Sequence, residues 1–98
     1  MSESGGKGII TLTALLTPPA AKPLLAQLLQ LRGQDIEISA AEVVQASTLA
    51  IQVLLAASDA WLADGKSFAV VAASEQFVEA VSLLGLTREL LPDGFELQ

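Results

Sequence analysis

Short β-branched or continuous apolar runs alternate along this chain with longer segments of helical period, and Gly, Ser or Pro stands at nearly every junction. "GIITLT", residues 8 to 13, alternates as a strand does. "TPPAAKP" follows; its prolines exclude a helix interior and suit an approach loop, with Pro23 near a helix start. A first helix is therefore expected from about Lys22 to Arg32. Its Leu24, Leu25, Leu28, Leu29 and Leu31 form a wide stripe that should pack on a sheet, and Gly33 supplies a left-handed stop.

"DIEIS", 35 to 39, reads as a strand with Ile36 and Ile38 on one face and acids opposite. From Ser47 to Asp64 a second helix is expected. Leu49, Val53, Ala57 and Trp61 fall on one stripe, with Ile51, Leu54, Leu55 and Leu62 beside it, and Gly65 ends it. "SFAVVAA", 67 to 73, is apolar enough for a strand covered on both faces. Ser74 caps a third helix with Phe77, Val78, Val81 and Leu84 buried. The tail "LTRELLPDGFELQ" suits a helical turn and a last strand. Strand and helix alternating three times, with short turns, predict an α/β fold with right-handed crossovers and a largely parallel sheet.

Composition narrows the function. The 98 residues suit one domain, expected over 8–98 after a disordered, Gly-rich tail over 1–7. Aromatics are 4%, so the core must be built from Leu, Val, Ile and Ala. A net charge of −6, with scattered bases and no stacking platform, opposes nucleic-acid and anionic-membrane binding. Cys and His are absent, which removes disulfides, thiol nucleophiles, the commonest metal ligand and the commonest general base. No cofactor is called for. The N-terminus lacks the pattern of a signal peptide, and no apolar run reaches the roughly 18–20 residues of a membrane span, so a cytoplasmic protein, monomeric or weakly dimeric, is expected.

Chemistry-bearing motifs are few. "SGGKG", 4 to 8, lacks the spacing and flanking elements of a phosphate loop. Asp35 and Glu37 read as a solvated strand face, and Glu42 stands upstream of two adjacent hydroxyls, Ser47 and Thr48. Ser47 is placed to cap the second helix, a role worth ~1 kcal/mol against alanine. Capping does not account for Thr48, a β-branched residue just inside the helix where alanine would cost less. A phosphate there would sit at the positive end of the helix dipole.

Residues 33 to 86 resemble a STAS domain, the family of bacterial anti-sigma factor antagonists. The likeness is carried by a strand leading through a loop to the hydroxyl-opened helix "LAIQVLLAA", then by "GKSFAVVAAS" and a helix ending in "LLGL". In those antagonists a Ser or Thr phosphorylated by a partner kinase follows an Asp and precedes a small residue, then Gly and Leu. Setting Ile51 on that Leu places Ala50 on the Gly, Leu49 on the small residue, Thr48 on the phospho-acceptor and Ser47 on the Asp.

The resemblance implies a STAS-like sandwich, a mixed, mostly parallel sheet with helices mainly on one face. It also implies a non-catalytic protein-interaction module whose contacts centre on Gln45, Ser47, Thr48, Leu49 and Gln52. Thr48 is then the phosphorylation candidate, ahead of Ser47. The implied partner is a kinase in regulatory signalling, an anti-sigma kinase or a chemotaxis histidine kinase. The alternative is the ATPase of a phospholipid-transport ABC complex, bound by a cytoplasmic STAS subunit. A small enzyme or nucleotide-binding protein is the remote rival.

Overall fold

The computed structural model describes residues 8–86 and 90–91. In chain order the elements are β1 (Gly8–Thr11), β2 (Leu15–Leu16), α1 (Pro18–Gln30), β3 (Ile36–Ala40), β4 (Gln45–Ala46), α2 (Thr48–Ala63), β5 (Phe68–Ala73) and α3 (Glu75–Leu83). The main sheet is parallel, in the order β1-β3-β5. Gly8 and Ile10 pair with Ile36 and Ile38, which pair in turn with Phe68 and Val70.

Strand alternation decides what this sheet buries. Ile10, Ile36, Ile38, Ala40 and Val70 join apolar residues of all three helices in one core, whereas Ile9 is 69% exposed. Every strand pairing among the described residues is parallel; the expected last strand lies outside them. Leu90 donates to the Leu86 carbonyl, four residues back, as the expected helical turn requires. The expected tail over 1–7 also falls outside the described residues.

The strand over 67–73 is not covered on both faces, as its apolar run suggested. Only Val70 is fully buried, and Val71 is half exposed. The pairing slips here: Ile38 faces Val70 and Ser39 faces Ala72, so Val71 is an extra residue without a partner on β3. A bulge of this kind breaks the side-to-side alternation, and hydrophobicity alone carries no sign of it.

The first helix begins at Pro18, four residues before the expected start, and Pro23 lies inside it. Pro18 and Pro19 occupy its first turn, where no amide is needed. Ala20 makes the first bond, to the Thr17 carbonyl at 2.9 Å. Pro23 forfeits the bond to Pro19, but both are exposed, so water can reach the freed carbonyl. The stripe is also less buried than its leucines suggested. Leu24 and Leu28 are in the core, while Leu25 and Leu29 are 45% and 57% exposed, because α1 packs chiefly on α2 rather than flat on the sheet.

The second helix is rotated from its expected register. Ala50, Ile51, Leu54, Ala57 and Trp61 are buried; Leu49 is half exposed and Leu62 is 78% exposed. A helix apolar on nearly every side gives its period little direction, and the tertiary fit settles which side turns inward. Trp61 is anchored by Nε1 donating to the Gln34 carbonyl at 2.7 Å and by an edge-on contact with Phe68. In α3, Phe77, Val78 and Val81 are buried as expected, but Leu84 is at the helix C-cap and 38% exposed. Gly33, Gly65 and Gly85 follow the helix ends at positive φ, the conformation expected of the first two.

Candidate docking surface

The surface is organised by an element that the sequence does not announce. Strands β2 and β4 are two residues each and pair in parallel, Leu15 with Gln45 and Leu16 with Ala46. Val44 N–H donates to the Ala14 carbonyl and Ser47 N–H to that of Leu16, both at 2.8 Å. Since β2 leads into α1 and β4 into α2, this small sheet holds the starts of both helices side by side. The loop ahead of β4 is tied from the other side, where the Ser74 hydroxyl donates to the Val43 carbonyl at 2.5 Å. Ser74 also accepts from Phe77 N–H at 3.1 Å, capping α3.

The two adjacent hydroxyls have separate fates. Ser47 has extended backbone, is part-buried, and accepts from Ala50 N–H at 3.2 Å, which makes it the N-cap of α2. With its amide also bonded to Leu16, both its polar ends serve the fold. Thr48, the first residue of the helix, is exposed and its hydroxyl makes no hydrogen bond among the described residues. No acidic residue occupies the first turn of α2. Glu42 is exposed and hydrogen-bonds neither hydroxyl.

From this corner an apolar trough of about 330 Å³ runs between α1 and α2. Leu25 and Leu29 wall it on one side, Leu49 and Val53 on the other, and Ala56 and Ala60 open its far half. Arg32 closes that end: its guanidinium lies 5.6 Å from the Trp61 ring centre and pairs with Asp64 at 2.8 Å. Apart from the Trp61 indole, whose N–H is taken by the Gln34 carbonyl, Gln52 is the only other polar side chain lining the trough among the described residues.

A family model described as "Mlab, STAS domain" matches residues 1–92. The chain belongs to the STAS family. Neither the curated proteins nor the solved structures yield a match. STAS domains are regulatory and interaction modules that engage protein partners, and the α/β fold agrees with that membership.

Within this STAS domain, the residues singled out from sequence converge in part. Gln45, Thr48, Leu49 and Gln52 are all exposed around the start of α2, and Leu49 and Gln52 also line the trough. Ser47 is at the same corner but committed to its cap. Sequence reasoning missed Leu15 on β2 and Val44 just ahead of β4, 55% and 60% exposed, because elements of two residues carry no periodicity. It also assigned Leu25 and Leu29 to the core. The usable signal was the stripe itself, broader than one packing face requires.

Two acids elsewhere have structural roles, Asp64 in its pair with Arg32 and Asp35 at the start of the sheet. Asp35 precedes β3 and accepts from Ser67 N–H at 2.9 Å instead of sharing a strand face with Glu37. Among the described residues no three acidic side chains gather as a metal site, and no helix is long and apolar enough to cross a membrane.

Proposed function

We propose that this STAS domain is a non-catalytic docking module that holds a protein partner at the start of α2, with Gln45, Thr48, Leu49 and Gln52 in contact and Ser47 supporting them. The supporting observation is the division of labour between the hydroxyls: Ser47 caps the helix, and Thr48 is left exposed with no structural bond to lose. A short strand pair and the Ser74–Val43 bond hold the corner in shape, so binding need not order it.

Two kinds of partner follow from the family. Leu15, Val44 and Leu49 are exposed large aliphatics on or next to the elements that meet at this corner, and an apolar surface suits a standing subunit interface better than a transient one. That favours the ATPase of an ABC complex of the phospholipid-transport kind as partner. The switching reading, in which an anti-sigma or chemotaxis kinase phosphorylates Thr48, draws on the accessible Thr48 hydroxyl at a helix N-terminus. Against it stand Ser47 in place of the family's Asp and Leu49 in place of a small residue.

The test is calorimetric titration of the purified chain with the ATPase or kinase encoded beside its gene. Binding that Thr48→Asp weakens at least about tenfold, with the melting temperature kept, supports the docking role. Equal affinities for wild type, Thr48→Ala and Thr48→Asp would remove it from this corner. A kinase that transfers phosphate to Thr48, with no ATPase bound, would establish the switching reading instead.

A further inference from the structure

We infer that the trough between α1 and α2 receives a helix of the partner, an amphipathic segment whose inward stripe is aliphatic and uncharged. The inference rests on the docking role above and adds the chemistry of what docks.

The shape of the walls comes first. Leu25 and Leu29 are one turn apart on α1, Leu49 and Val53 one turn apart on α2, and Ala56 and Ala60, another pair one turn apart, extend the α2 wall with side chains too short to close the gap. Rows spaced four residues apart are what helices interlock with when they pack. The lining from Leu49 to Ala60 covers about 16 Å, the length of three helical turns.

Hydrogen bonding then selects among occupants. Both walls are helices, whose backbone groups are satisfied internally, and among the described residues the lining offers only Gln52 and Arg32 as free or charged polar partners. Arg32 is already engaged by Asp64. An extended strand or loop pressed into this space would bury amides and carbonyls with nothing to bond. A helix arrives with its backbone bonded within itself.

Charge completes the selection. The chain carries −6, yet the one charge lining the trough among the described residues is offset by its own partner. An acid or base on the incoming stripe would lose water and gain no counter-ion, whereas leucine or valine loses nothing. A second copy of this chain would bring six more negative charges to the contact, which disfavours self-association on this face.

The test uses the full chain, isotopically labelled, and a synthetic peptide of about 15 residues with leucines at i, i+4, i+7 and i+11 on an alanine, glutamine and lysine background. A control peptide carries a central proline. Expected are saturable binding, shifts of the Leu25, Leu29, Leu49 and Val53 methyl resonances, a changed emission from Trp61, and helix formation in the peptide. Proline in the peptide, or Leu29→Gln in the protein, should each weaken binding at least about tenfold, with the melting temperature of the variant unchanged.

No saturable binding up to millimolar peptide, equal binding of the proline control, or indifference to Leu29→Gln would overturn the inference. So would a dimer in sedimentation that Leu29→Gln converts to monomer, since the occupant would then be a second copy. Against the neighbour-encoded ATPase, loss of binding in Thr48→Asp with none in Leu29→Gln would refute the helix in the trough and leave the docking role intact.

Discussion

The first helix places leucines of the same kind in two different settings. Leu24 and Leu28 are 4% and 1% exposed in the core; Leu25 and Leu29, each the next residue along, are 45% and 57% exposed on the trough. The second helix repeats the division, with Ile51 and Leu54 inside and Leu49 outside. The inner side holds the domain together. The outer side adds apolar surface that the fold does not use, so its substitution should be felt in binding before stability.

The comparison can be broken most forcefully at Leu54, which is fully buried. Leu54→Asp places a carboxylate in the core and should cost more than about 4 kcal/mol, leaving no cooperative thermal transition at 37 °C. A wild-type melt would mean that α2 is rotated from the position described. The paired leucines give the next effect: Leu28→Ala should cost about 2–5 kcal/mol in urea unfolding, and Leu29→Ala should stay within about 0.5 kcal/mol of wild type. Similar losses at both would erase the distinction between the two sides.

Smaller effects sharpen the boundary at the helix starts. Ser74→Ala removes both the cap of α3 and the bond to the Val43 carbonyl, and should cost about 1–3 kcal/mol. Ser47→Ala removes the cap of α2 and should cost ~0.5–2 kcal/mol by denaturant titration. Thr48→Ala should change stability by less than about 0.5 kcal/mol, because its hydroxyl bonds to none of the described residues and alanine is the better helix former. A larger loss at Thr48 than at Ser47 would reverse their roles.

Elements with a local cause were legible in the sequence. Ser47 and Ser74 stand just ahead of apolar periodic runs, and both cap; Gly33 and Gly65 stand just past such runs, and both adopt positive φ. The β-branched stretches became β1 and β3 because alternation is written residue by residue. What was lost depends on partners distant in the chain. The β2–β4 pair exists only because Leu15 and Gln45 meet, the bulge at Val71 only because β3 is one residue shorter there, and the rotation of α2 only because α1 covers one side of it.

The corner proposed for docking was legible to the same extent. Thr48 and Leu49 were singled out by a hydroxyl that capping could not explain and by a family likeness. The trough beside them needed the relative placement of α1 and α2.

The central claim is that the start of α2 and its flanking trough form the contact surface, and a footprint on the labelled chain tests it most directly. Amide and methyl resonances would be followed as the neighbour-encoded ATPase or kinase is added. The account predicts that the largest changes cluster at Gln45, Thr48, Leu49 and Gln52, extend to Leu25 and Leu29, and spare Glu75 and Glu79 on α3 and Ile9 and Val71 on the open sheet face. Changes concentrated on α3 or on that sheet face, with the α2 corner unmoved, would contradict it.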